Sequence, residues 1–182
     1  MILNIHGYDS SGKNSKYEFL ASEYKDQLLI SPSFDYSNEN PYNILDTLRN
    51  RIILNHEKDK KNVVVGSSIG GFFAYCLCAA YEIKTILINP SLMPFINLSA
   101  RYGANEAMCK KYIELFNRHF FQANSRDYEI IVGDKDDVID HNLITRAAVG
   151  RGKKFIVVKG GHHMPLSDEV KNIIKSIISS AD

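Results

Sequence analysis

The stretch Val63-Val64-Val65-Gly66-Ser67-Ser68-Ile69-Gly70-Gly71 decides the fold. Consecutive β-branched residues read as a buried strand, the glycines and serines as a sharp turn, and the apolar run from Ile69 to Tyr81 as a helix. The turn spells G-x-S-x-G with Ser68 at its centre. A serine hydroxyl is a poor nucleophile, so it must stand out of such a turn toward a base, with a backbone N–H behind it facing the oxyanion that develops. Gly66 and Gly70 flank it because side chains there would collide where the strand folds back against the helix. Ile69 would give the first oxyanion N–H. A Gly/Ser-rich connection, or a helix N-terminus that holds phosphate, has the same letters; the strand–turn–helix setting favours the nucleophile.

Outward from this turn, short β-branched or apolar runs alternate with helix-period segments, the pattern of βαβ units on a parallel sheet. Strands are expected at Ile2–Ile5, Leu28–Ser31, Asn62–Gly66, Thr85–Ile88, Tyr128–Val132 and Lys154–Val158. Helices are expected at Ser15–Tyr24, Asn43–His56, Ile69–Tyr81, Asn105–Phe121, Asn142–Val149 and Ser167–Ser179. Most of the strands are apolar throughout, as strands covered on both faces should be. No repeat and no shift of composition divides the chain, which predicts one domain over residues 1–182. From Asn89 to Asp127 the chain carries more than a crossover helix: Leu92, Met93, Pro94 and Phe95 precede a helix with Met108, Tyr112, Leu115 and Phe116 on one face. That face reads as core packing. A long insertion after a strand is nevertheless where caps over sites are built.

Composition narrows the function. A chain of 182 residues, 45% of them hydrophobic, can fill a real core. With 22 Lys and Arg against 21 Asp and Glu, its net charge of +1 exerts no long-range pull on nucleic acid or anionic lipid. Cys76, Cys78 and Cys109 are odd in number, lie in apolar surroundings and lack zinc-site spacing, so they read as buried thiols of a reducing compartment. No apolar run reaches the ~18 residues of a membrane span. The N-terminus enters Ile2–Ile5 without a basic leader, and a soluble, cytoplasmic protein is expected.

A nucleophile needs partners, which this chain supplies in the order Ser, acid, His. Gly133-Asp134-Lys135-Asp136-Asp137-Val138-Ile139-Asp140 follows one strand, and Gly160-Gly161-His162-His163-Met164-Pro165 follows the next. Both stand at strand C-terminal ends, where open α/β sheets build their sites. Alone, the first would be a solvated turn or an oxygen cluster for Ca²⁺, and the second a surface loop or metal ligands. Adjacent histidines point apart and no third His or Cys lies nearby in sequence, so no metal is expected. A rival site, Gly7-Tyr8-Asp9-Ser10-Ser11-Gly12-Lys13-Asn14, nearly spells a phosphate-binding G-x-x-x-x-G-K-[ST] loop but fails at its last letter. As the loop after a first strand ending in His6-Gly7, it better fits an oxyanion loop whose second donor is the N–H of Tyr8 and whose order His6 maintains.

Together these residues resemble the α/β-hydrolase superfamily and, within it, the small, lid-poor YqiA-type esterases. The resemblance rests on His6-Gly7-Tyr8 with Ser10-Ser11, Gly66-Ser67-Ser68-Ile69-Gly70-Gly71, Asn89-Pro90, Gly133 to Asp140, and Gly160-Gly161-His162-His163. It implies a three-layer fold of about six mainly parallel strands and cofactor-free hydrolysis of esters through an acyl-enzyme. It also implies Ser68 as nucleophile, Tyr8 and Ile69 as oxyanion donors, and Asp136 as acid, because Gly133, Asp136 and Val138 match G-x-x-D-x-V. For the base, a G-G-x-H alignment selects His163 and a G-H form selects His162; His163 is preferred because both glycines then turn the chain. Leu92, Met93 and Phe95 are the expected apolar wall of a shallow pocket for a small ester or thioester. The competing functions are a non-catalytic interaction module on this scaffold and a nucleotide-binding protein using the Gly7–Lys13 loop.

Overall fold

Six apolar runs form the strands β1 (Ile2–Ile5), β2 (Leu29–Ile30), β3 (Val63–Ser67), β4 (Lys84–Ile88), β5 (Tyr128–Gly133) and β6 (Phe155–Val158). The computed structural model describes residues 1–55, 62–96, 98, 105–150 and 153–180. All strand pairs are parallel, in the order β2-β1-β3-β4-β5-β6. Their C-terminal ends therefore share one edge, and the order of travel reverses between β1 and β3. In open α/β sheets the crevice at such a reversal is the usual ligand site.

Between the strands lie α1 (Ser15–Glu23), α2 (Pro41–Asn55), α3 (Ile69–Ala80) and α4 (Glu106–Asn124), followed by a π-helical turn over His141–Thr145, α5 (Arg146–Val149) and α6 (Asp168–Ser179). Side chains alternate across each strand, and this alternation divides the core. Leu3, Ile5, Val64, Leu87, Ile130 and Val132 meet α2, α3 and α4 on one face. Ile2, Val63, Val65, Ile86, Ile88 and Ile131 meet α1 and α6 on the other. Helix α3 is buried from Ile69 to Ala79, which explains its uniformly apolar sequence. Cys76 and Cys78 lie within it, and burial pushes both thiols up, that of Cys78 to about 11. Cys109, expected to be buried, is only partly so.

The element boundaries differ from expectation in a few places. Helix α2 starts at Pro41 rather than Asn43, since proline suits the first turn, where its missing N–H costs nothing; its expected end at His56 lies outside the described residues. The helix expected over Asn142–Val149 is divided, because Asp140 accepts from the N–H of Leu143 and starts the π turn one residue earlier. Among the described residues no helix is long and apolar enough to cross a membrane, and no group of His, Cys, Asp or Glu is placed to hold a metal ion.

Candidate active site

Ser68 stands between β3 and α3 with φ 53° and ψ −123°, a backbone conformation unfavourable for any residue with a side chain and costing about 1–3 kcal/mol. Its surroundings hold it there. The Ser68 N–H donates to the Ile88 carbonyl at 3.0 Å, while the Ser68 carbonyl accepts from the N–H groups of Gly71 and Ser91, both at 2.9 Å. Helix α3 reaches the sheet backbone to backbone: a Cβ at Gly70 would strike the carbonyl oxygens of Ile5 and His6.

The Ser68 Oγ lies 2.9 Å from Nε2 of His162, and Nδ1 of His162 lies 2.9 Å from Oδ2 of Asp136. The Asp136 side chain is 2% exposed and those of His141 and His162 are 6% and 5%. Four donors surround its carboxylate: the N–H groups of Val138 and Ile139 at 2.9 Å each, the His162 ring, and Nε2 of His141 at 2.8 Å. Burial works against ionisation, but the hydrogen bonds from His141, His162 and Ile139 prevail and hold this carboxyl well below the usual carboxylate range. An ionised carboxylate only accepts, so His162 carries its proton on Nδ1 and leaves the Nε2 lone pair to the Ser68 hydroxyl. His141 likewise donates from Nε2, with its Nδ1 2.8 Å from Oγ1 of Thr145.

The ring that meets Ser68 is thus His162, not the preferred His163, which is exposed beside it with ring centroids 5.6 Å apart. The backbone of this loop is held by Asn89, the residue after β4, with φ 42°. Its Nδ2 donates to the carbonyls of Gly161 and His162 at 3.0 Å each, and its Oδ1 accepts from the N–H of Gly133 at 2.7 Å. One amide therefore joins the acid loop to the histidine loop. A Cβ at Gly133 would meet the carbonyl of Gly160, so glycine is required where those loops touch. Neither Asn89 nor His141 was assigned a role from sequence. Asn89 was visible only as a polar strand end; His141 had no signal beyond lying five residues past Asp136. Asp134 and Asp140 serve the loops themselves, accepting from the N–H groups of Gly160 and Leu143.

Among the described residues, a larger and a smaller cavity border Ser68. The larger, about 360 Å³, is lined by Gly7, Tyr8, Ser10, Ser15, Lys16 and His162 among others, and the smaller, about 20 Å³, by Tyr8, Ile69, Ser91, Pro94, Leu98 and Ile139 among others. Leu92, Met93 and Phe95 line neither, contrary to expectation. Leu92 is fully buried in the core, against which Met93 and Phe95 pack. His6 holds the loop after β1: its Nδ1 lies 2.7 Å from the Gly7 carbonyl, its Nε2 accepts from the Phe34 N–H at 2.9 Å, and its own carbonyl accepts from the Tyr36 hydroxyl at 2.8 Å. The nucleotide-loop reading loses its lysine, since Lys13 is exposed and lines neither cavity.

The architecture is that of the α/β hydrolases. Est1E from Butyrivibrio proteoclasticus superposes with a TM-score of 0.70 at 13% identity, over 98% of this chain and 88% of that one. Alpha/beta hydrolase domain-containing protein 10 from mouse gives 0.63 at 17% identity, over 98% and 88%. An esterase from Pyrococcus furiosus gives 0.63 at 18%, over 99% and 81%. Within this class the chain belongs to the family described as "Uncharacterised protein family (UPF0227)", which matches residues 1–178. A UPF0227 protein of Shewanella woodyi is 28% identical over 152 residues, 80% of each chain. The UPF0227 protein YcfP of Escherichia coli is 23% identical over 141 residues, 75% of each.

Proposed function

We propose that this protein is a serine hydrolase cleaving small carboxylic esters or thioesters through an acyl-enzyme, with Ser68, His162 and Asp136 as its triad. The unbroken series of contacts from the Ser68 Oγ through the His162 ring to the Asp136 carboxylate carries the reading. His162 takes the serine proton as Oγ attacks the carbonyl carbon. Tyr8 and Ile69 border one cavity together with Ser68, and their N–H groups receive the oxyanion. The same proton passes from Nε2 to the departing alcohol, and water activated by His162 then releases the acid. Asp136 keeps the ring in the tautomer with Nε2 free and stabilises the imidazolium. The acyl group lies on the side of the Ile69 cavity, whose about 20 Å³ favours acetyl over long chains. No cofactor takes part in this scheme, and the chain acts as one domain in the cytoplasm.

A fluorophosphonate probe tests the reading. Covalent labelling confined to Ser68, lost in S68A and in H162A, is expected; a protein left unlabelled under conditions that label other serine esterases would refute it. Hydrolysis of p-nitrophenyl acetate should fall by about 10⁴-fold or more in either variant.

A further inference from the structure

The larger cavity beside Ser68 has a composition that ester hydrolysis alone does not require. Lys16 lines it, together with the hydroxyl residues Ser10 and Ser15 and the histidines His162 and His163, and among the described residues no carboxylate lines it. Lys16 is half-buried and has no ion-pair partner among the described residues. Burial pushes its ammonium down. A lysine kept partly out of water without a counter-charge is an unfavourable arrangement unless a ligand supplies one. The setting adds to its charge: Ser15 and Lys16 open helix α1, and the Asn14 side chain caps only the N–H of Tyr17. The N–H groups of Ser15 and Lys16 have no acceptor within the helix, and the positive end of the helix dipole lies at this wall. The one acidic side chain in that first turn, Glu18, is exposed and does not line the cavity.

The cavity also has a side with respect to the reaction. Its wall includes His162, which in the proposed scheme returns the proton to the leaving group, but not Ile69, one of the two proposed oxyanion donors; Tyr8, the other, stands between the two cavities and lines both. The small cavity has the opposite membership, with Ile69 and without His162. The departing alcohol or thiol therefore occupies the larger space and the acyl group the smaller. Resting on the proposed hydrolase reading, we infer that the substrate is a short-chain acyl ester whose alcohol or thiol half carries an anionic group, carboxylate or phosphate, held by Lys16 and the first turn of α1. The near-match to a phosphate-binding loop at Gly7–Asn14 has its place here: the loop brings an anion site up to the nucleophile through Lys16 rather than Lys13.

Matched acetate esters test this inference: 4-acetoxybenzoate and 4-acetoxyphenyl phosphate as anionic members and methyl 4-acetoxybenzoate as the neutral one. The readout is kcat/KM divided by each ester's own rate with hydroxide. The wild-type protein should favour at least one anionic ester about tenfold or more, and which of the two it favours identifies the group. K16M should reduce this ratio about tenfold, whereas K13M, at an exposed lysine outside the cavity, should leave the ratio in place. Equal normalised rates for all three esters in the wild-type protein, or an undiminished ratio in folded K16M, would overturn the inference. A second measurement needs no variant: phenyl phosphate or benzoate should compete with the neutral ester far better than phenol does, and equal competition by all three would count against it. Fluorophosphonate labelling of Ser68 separates the two proposals. A labelled protein without anion preference retains the hydrolase reading and loses this one, whereas an unlabelled protein inactive on all three esters loses both.

Discussion

His162 and His163 share a backbone segment and differ in what their rings touch. Only the ring of His162 lies between Ser68 and Asp136, so H162A should reduce kcat for an activated ester by about 10⁴-fold or more while H163A costs less than tenfold. Equal losses in the two variants would mean that the loop rearranges during turnover. His141 makes a finer distinction. It shares Oδ2 of Asp136 with His162 and is tied to Thr145 behind it, so it positions the carboxylate without approaching the reacting atoms. H141A withdraws one hydrogen bond from a buried charge, a loss on the order of 1–3 kcal/mol. The expected outcome is a fall in kcat of about tenfold, with KM little changed and labelling of Ser68 slowed but not abolished. Restoration of most of the rate by H141Q, whose amide can donate to the same oxygen, would identify hydrogen bonding rather than ring packing as the contribution.

Strand β4 carries no nucleophile, acid or base, yet Asn89, the residue that follows it, joins the loops after β5 and β6. The three hydrogen bonds of Asn89 span those loops. N89A leaves the Gly133 N–H and two loop carbonyls without their partner, and it should lower stability by about 2–4 kcal/mol and activity more steeply than stability. Urea unfolding beside ester turnover would measure both; a variant with full turnover would show that the histidine loop keeps its shape unaided. In sequence, Asn89-Pro90 could be recognised as a strand end but not as a clamp, because the groups it binds lie up to 73 residues later in the chain. The choice between His162 and His163 was illegible for the same reason. Asp136, by contrast, was singled out of its carboxylate-rich loop only by the family resemblance, through the match of Gly133, Asp136 and Val138 to G-x-x-D-x-V; the structure shows the Val138 and Ile139 N–H groups folding back onto its carboxylate within a single turn. The expected pocket wall was misplaced because an apolar residue after a strand reads alike whether it faces a cavity or, as Leu92 does, the core.

The whole molecule responds to acid through groups buried in states that resist protonation. The strands were legible because a sheet covered on both faces demands apolar residues at nearly every position, whereas these polar groups follow no periodic rule. His119 is 7% exposed on α4, with Nε2 3.3 Å from Nη2 of Arg49. Burial first, then the Arg49 and Arg118 charges, push its ring down to about 4. An unfolded histidine titrates near ~6.5, so between these values the unfolded chain binds the extra proton and folding loses ground as pH falls. The stabilisation is complete above ~6.5 and declines toward about 4. Asp136 acts in the same sense at lower pH: its depressed carboxyl stabilises the fold above the unfolded value of ~3.9, and that contribution disappears as pH falls through the folded one. Acid unfolding should therefore begin below neutrality and steepen again below about pH 4. Urea titrations at pH 7 and pH 5 isolate the first stage. H119Q should lose less stability between them than the wild-type protein, by on the order of 1 kcal/mol, with a residual slope from His6, which burial also pushes down. Identical slopes in the two proteins would mean that His119 gains its proton without cost and that its contact with Arg49 opens freely in the folded state.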